Sequence, residues 1–251
     1  MTGALVVGGA GAIGASCAEA LVAGGWSVVV ADLDLSAAER VGERIGAAGA
    51  FQVDVTSTES VQRATGAADE LLGGLSAAVN LAAVGGPAAR LHEYADEAWS
   101  RVVEVNLSGT FRCLRAQVAA MLPTGGSIVV VSSVGGAVGF AGAAAYSTTK
   151  HGLTGMVRSA ALEYAADGIR VNAVAPGFVD TAFLRSRRTA AEIARLEAAH
   201  PLGRLARVED VAATVAHLVS PAAGFVTGST YDVDGGLLAG HPGLLGAGQS
   251  Q

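Results

Sequence analysis

Lysine is almost missing from this chain of 251 residues: of sixteen lysines and arginines, one is a lysine, Lys150. Asparagine occurs three times, cysteine twice, and aromatic residues make up 5%. Two cysteines, Cys17 and Cys113, exclude a disulfide framework and read as small buried apolar residues. The histidines His92, His151, His200, His217 and His241 show no HExxH or other paired-ligand spacing, so they read as solvated or capping side chains and no metal site is expected. The longest apolar runs, such as SIVVV ending at Val131, fall far short of the ~20 residues a spanning helix needs, which excludes a membrane segment. No basic run is longer than Arg185 to Arg188, and the net charge is -6, so the electrostatic footprint of a nucleic-acid binder is missing. The opening MTGALVVGG has no basic n-region and passes straight into an apolar run, from which a cytoplasmic protein is expected.

What is present is apolar and small: 51% hydrophobic residues, 35 glycines and 15% charged residues. Short β-branched runs alternate with helical stretches from end to end, the pattern of a parallel sheet covered on both faces. Strands are predicted near Ala4–Val7, Ser27–Ala31, Phe51–Val53, Ala77–Leu81, Ser127–Val131, Arg170–Ala175 and Thr230–Val233. Helices are predicted near Ala12–Ala23, Ser36–Ala47, Ser57–Leu72, Asp96–Met121, Ala145–Ala166 and Val208–Ser220. The expectation is a Rossmann-type, doubly wound α/β fold of about seven parallel strands, in one domain over 1–251. Within it, residues 178–203 are expected to form a substrate lid and the Gly-rich 237–251 a tail.

Lys150 stands four residues after Tyr146, so on a helix the two share a face. An ammonium beside a phenol favours the phenolate, drawing a pKa of about 10 toward neutrality and making Tyr146 a candidate general acid/base. The bland alternative is a surface lysine surviving in an arginine-rich composition. Asn80, Asn106 and Asn172 each follow a valine within a predicted strand or helix, whereas solvated asparagines scatter through turns. Ser133 lies thirteen residues before Tyr146. On these residues the chain resembles the short-chain dehydrogenase/reductase family, from Leu5 to about Gly236. The family's catalytic Asn, Ser, Tyr and Lys match Asn106, Ser133, Tyr146 and Lys150 in order and spacing.

The glycines Gly9, Gly11 and Gly14 form a GxGxxG between the first strand and the first helix, where backbone amides and the helix dipole receive a pyrophosphate. Against the family pattern TGxxxGxG, Gly8 and Gly14 match, while Val7 replaces the threonine and Ala12 the middle glycine; Gly11, Ala12 and Ile13 complete the turn. Asp32, eighteen residues past Gly14 and followed by Leu33, is placed to accept both adenosine-ribose hydroxyls. Asp34 and Ser36 are the better helix-cap candidates, which leaves Asp32 free. No Lys or Arg lies between Gly8 and Leu35 to neutralise a 2′-phosphate, so NAD is expected over NADP. The resemblance further implies that Asp54 and Val55 meet the adenine, that Asn80 and Ala82 line the cofactor, and that Pro176, Gly177, Val179 and Thr181 hold the nicotinamide carboxamide.

Hydride exchange with a secondary alcohol needs a base for the hydroxyl proton, and the reverse needs an acid. By resemblance Tyr146 fills both roles, Lys150 lowers its pKa and binds the nicotinamide ribose, Ser133 holds the substrate oxygen, and Asn106 positions a relay water. Duller roles stand beside these: Ser133 ending a strand, Asn106 satisfying backbone groups, Tyr146 filling the core. The small, apolar loop Gly135–Ala145 leaves room for a bulky or alicyclic alcohol or ketone. Arg185, Arg187 and Arg188 are candidates for an anionic group, weighed against a solvated charged surface. A homotetramer is implied by the family and by the apolar helices Asp96–Met121 and Ala145–Ala166. Two other functions are weighed. An NADPH-dependent 3-oxoacyl thioester reductase calls for a basic residue near the glycine turn, and an idle nucleotide-binding scaffold has no need of all four catalytic types.

Overall fold

The computed structural model describes residues 2–240. Seven parallel strands form one sheet, β1 (Gly3–Val7), β2 (Ser27–Asp32), β3 (Gly49–Gln52), β4 (Leu75–Asn80), β5 (Gly126–Val131), β6 (Ile169–Pro176) and β7 (Thr230–Val233). Their order is β3-β2-β1-β4-β5-β6-β7. The order reverses between β1 and β4, where the two crossovers leave on opposite faces and open a crevice at the strands' C-terminal ends.

Along each strand alternate residues supply two cores. Leu5 and Val7 face one, with helices α3 (Thr58–Leu72), α5 (Gly109–Met121) and α6 (Ala144–Tyr164). Ala4 and Val6 face the other, with α1 (Ala12–Ala23), α2 (Leu35–Ile45) and α9 (Val208–Val219). Both faces are covered, so β1 has no polar side chain at any position and its neighbours carry continuous apolar runs such as Ile128–Val131 instead of strict alternation. Helix ends follow local chemistry: Asp34 caps α2 by accepting the Ala37 amide at 3.0 Å, and Ser57 caps α3 through Ser60.

Two expectations change. The single helix predicted over Asp96–Met121 is α4 (Asp96–Val103), a π turn over Glu104–Ser108, and α5. The surplus residue of the π turn lets Asn106 point inward, and Arg112, bonded to both Glu104 and the Val55 carbonyl, holds that turn in place. The segment 178–203, read only as a lid, contains α7 (Ala182–Arg185) and α8 (Ala190–Ala199), the latter closed by a Thr189–Glu192 capping box. Of the predicted tail, Leu237–Gly240 continue from Asp234, whose carboxylate accepts the Leu238 amide at 2.7 Å, while 241–251 and His241 lie outside the described residues.

Candidate active site

The glycine turn after β1 is built by close approach. A Cβ on Gly14 would lie 2.2 Å from the Gly8 carbonyl oxygen, and Gly8 has φ +79° with Ala82 N 2.6 Å from where its Cβ would be. At Gly11, by contrast, a Cβ meets only the Gly8 oxygen at 3.6 Å, so the outer side of the turn is open. Gly11 is the N-cap of the twelve-residue α1 and supplies no side-chain cap, nor is there an acidic residue in the first turn. The amides of Ala12, Ile13 and Gly14 therefore lie at an open, positively polarised helix end, which fits a pyrophosphate.

Asp32 ends β2 beside this turn, yet it is not free. Its Oδ2 accepts the Ala10 amide at 3.0 Å and its Oδ1 the Asp34 amide at 3.3 Å. The carboxylate thus fixes the turn while keeping further lone pairs for an incoming hydroxyl. Leu33 beside it is exposed, and its carbonyl accepts from Gln52. Asp54 spends Oδ1 on the amide and hydroxyl of Thr56, and the Val55 side chain is buried in the core. Asn80 forms a reciprocal amide pair with Gln117 at 2.8 and 2.9 Å, locking β4 to α5 below Ala82. Thr181 caps α7 through Leu184 N, and Val179 bridges to Ala206, so the stretch after Pro176 and Gly177 is tied down at several points.

Ser133, Tyr146 and Lys150 come together where β5 ends and α6 begins. Lys150 is 3% exposed; its Nζ donates to Val131 O at 2.9 Å, and its own carbonyl accepts from Ser132. Burial pushes its pKa down to about 8. The ammonium lies 5.6 Å from the Tyr146 ring centroid. Here the expected lowering of the tyrosine pKa is corrected: with protein groups alone, burial raises Tyr146 and the neighbouring Ser133 hydroxyl pulls it back only in part. Ser133 Oγ accepts the Gly135 amide at 3.0 Å, which leaves its proton available to a further acceptor.

Asn106 was expected to position a relay water; both its amide hydrogens are committed to protein acceptors. Nδ2 donates to Val84 O at 2.9 Å and to Thr149 Oγ1 at 3.3 Å, while Oδ1 accepts Val84 N–H at 2.8 Å. Thr149 in turn donates to the Tyr146 carbonyl, so Asn106 clamps the loop after β4 to the first turn of α6. Asn172 is a second clamp, holding Val226 O and Ser229 N beside β6.

The Phe140 and Phe178 rings pack together, with centroids 5.9 Å apart. Within 178–203, Arg185 holds Asp180 through two bonds of 2.5 and 2.7 Å, Arg188 pairs with Glu192, Arg187 lies 4.2 Å over the Phe183 ring, and Arg195 on α8 is exposed. His200, read as solvated or capping, is the C-cap residue of α8 and is 2% exposed behind Phe178, so capping holds and solvation does not. A lone histidine carries no spacing signal, so sequence reasoning had nothing with which to find it. Among the described residues no His, Cys, Asp or Glu cluster could hold a metal ion, and no helix is long and apolar enough to cross a membrane.

The chain belongs to the short-chain dehydrogenase/reductase family of nicotinamide-dependent oxidoreductases. The family model described as Enoyl-(Acyl carrier protein) reductase matches residues 8–238. Cyclohexanol dehydrogenase of Acinetobacter sp. (strain SE19) is 40% identical over 237 residues, 92% of this chain and 93% of that protein. Cis-4-hydroxycyclohexanecarboxylate dehydrogenase of Sinomonas cyclohexanicum is 42% identical over 241 residues, 94% and 96% of the two chains. The crystal structure of gox2181 matches with a TM-score of 0.92 at 34% identity, over 95% of this chain and 96% of that one.

Proposed function

We propose that this enzyme interconverts a neutral alicyclic secondary alcohol and its ketone, with NAD as the preferred cofactor. The observation that carries the reading is the buried Lys150 ammonium beside Tyr146 and Ser133, next to an open glycine turn. The bound nicotinamide supplies the hydride chemistry. Gly8, Gly11, Ala12, Ile13 and Gly14 would receive its pyrophosphate, Asp32 the adenosine ribose, Asp54 and Val55 the adenine, and Pro176 to Thr181 the carboxamide, with Asn80 and Ala82 beside it.

Tyr146 Oη takes the hydroxyl proton of the alcohol, or returns it to the ketone oxygen. Ser133 Oγ donates to that same oxygen, since the Gly135 amide occupies one of its acceptor positions. A Lys150 ammonium 5.6 Å from the Tyr146 ring would favour the phenolate, against the burial that raises the tyrosine pKa. Asn106 holds the geometry through Val84 and Thr149.

The substrate class is supported by the apolar loop Gly135–Ala145, the packed Phe140–Phe178 rings, and the engagement of Arg185, Arg188 and Arg187 by Asp180, Glu192 and Phe183. Both relatives named above carry ring alcohols in their names, the first neutral and the second a carboxylate, so the names support the ring and the arginine pairings its neutrality. An NADPH-dependent reductase of a carrier-bound thioester would call for a basic residue near the glycine turn, and none lies between Gly8 and Leu35. NAD preference rests on Asp32 and on the lack of any cation from Gly8 to Leu35. Self-association as a tetramer is supported by exposed Trp99, Phe111 and Leu162 on α4, α5 and α6. The test is absorbance at the reduced-nicotinamide band with NAD and NADP across ring alcohols, linear alcohols and hydroxy acids. Turnover confined to hydroxy acids, or an equal kcat/KM with NADP, would overturn the reading.

A further inference from the structure

His200 sits at the C-terminal cap of α8 with both ring nitrogens spent on backbone groups of different elements. Nδ1 lies 2.6 Å from Leu196 O, and a carbonyl only accepts, so Nδ1 carries the hydrogen. Nε2 lies 3.3 Å from Phe178 N, and an amide only donates, so Nε2 is the bare nitrogen. The partners therefore fix one neutral tautomer. Gly177 is shaped to this imidazole: a Cβ there would lie 2.8 Å from Nε2 and 3.1 Å from Asp234 Cα. The Phe178 ring meets the imidazole edge-on at 5.9 Å and reaches Phe140 at the same separation. Phe140 and Tyr146 in turn flank Gly135, where a Cβ would be 3.2 Å from one ring and 3.3 Å from the other. An apolar side chain would fill the same space but could hold neither Phe178 N–H nor Leu196 O.

We propose that His200 is a positioning residue: it sets the Gly177–Phe178 backbone for the cofactor's nicotinamide end and ties α8 to that backbone, so that lid and cofactor segment move together. The proposal rests on the assignment of Pro176–Thr181 to the nicotinamide carboxamide.

The two bonds can be separated by substitution. His200→Gln puts an amide oxygen near Nε2 and keeps the acceptor for Phe178; His200→Asn puts an amide nitrogen near Nδ1 and keeps the donor for Leu196. Each variant loses one backbone bond, so a purely structural role weakens both alike. Dissociation constants of NADH and NADPH are measured by nucleotide fluorescence on the full chain, alongside melting temperatures. The cofactor that wild type binds more tightly is carried through, so a preference for NADPH refutes the NAD assignment while leaving the His200 test intact. His200→Asn should weaken cofactor binding at least about tenfold, and His200→Gln by no more than about threefold. Equal losses in the two variants, or wild-type binding by His200→Asn, overturn the proposal. Should His200→Asn fail to fold, hydrogen exchange on wild type replaces it. Cofactor should then protect peptides 177–181 and 192–200 together, and protection of the first alone overturns the coupling.

Discussion

Replacing Lys150 by methionine should stabilise the protein while abolishing its activity. The ammonium is 3% exposed, its protein acceptor is Val131 O at 2.9 Å, and burial takes its pKa from 10.5 to about 8. A folded-state pKa below the unfolded value means that the folded chain binds this proton less tightly. The resulting cost is fully present below pH 8, shrinks between pH 8 and 10.5, and is gone above. At ~1.36 kcal/mol per pKa unit it amounts to about 3 kcal/mol at pH 7. Methionine matches the length of the lysine stem without the charge, but it leaves the Val131 carbonyl without a donor, which takes back about 1 kcal/mol. The net gain of roughly 2 kcal/mol corresponds to about 4–8 °C in Tm for a chain of this size. Calorimetry of both proteins without cofactor, at pH 7 and pH 10, measures it, and the gain should be close to zero at pH 10. A variant that melts no higher than wild type at pH 7, or whose gain is the same at both pH values, refutes the reasoning.

Tyr146→Phe should lower kcat by about 10³-fold or more while leaving the NADH Kd within a few-fold, because the phenol is assigned to proton transfer alone; unchanged kcat removes Tyr146 from the mechanism. Asp32→Ala should weaken NAD and narrow an NAD preference expected to be at least ~1.4 kcal/mol, read as kcat/KM with each cofactor on one alcohol. An unaltered ratio would show that Asp32 serves only its bonds to Ala10 and Asp34. Asn106→Ala frees Val84 N–H and O together with Thr149, and should cost about 2–3 kcal/mol in urea unfolding. A loss below about 0.5 kcal/mol would deny it the role of clamp.

Strands were readable because a sheet covered on both faces demands unbroken β-branched runs, and SVVVAD or GSIVVV can be little else. The tight turn after β1 was readable from glycine spacing, and the approach of Lys150 to Tyr146 from their helical spacing. What escaped depends on contacts remote in sequence. Nothing in EVNLS marks a surplus residue, because the π turn is held by Arg112 reaching Glu104 and Val55 and by Asn106 reaching Val84. Asp32 looked unencumbered because one of its two partners, Ala10 N, lies in the turn after β1, remote in sequence. The tyrosine pKa was misjudged because spacing shows a nearby charge but not the burial that opposes it. The α8 helix was within reach, since Thr189 and Glu192 stand at capping-box spacing.

The strand order also governs how the chain is made. Every pairing in the sheet is parallel, so none forms through a tight hairpin, and β1 pairs on one side with β2 but on the other only with β4, Gly3 opposite Leu75. During synthesis β1, β2 and β3 can assemble early, while the inner edge of β1 stays bare until β4 and its crossover have emerged. That edge is GALVV, wholly buried in the finished protein and without a charge to discourage pairing with another chain. Slow translation between Gln52 and Leu75 therefore prolongs the interval in which nascent chains can add strand to strand. The sheet's six pairings are all non-local, which makes folding slow as well and lengthens the time that this edge stands open to another chain.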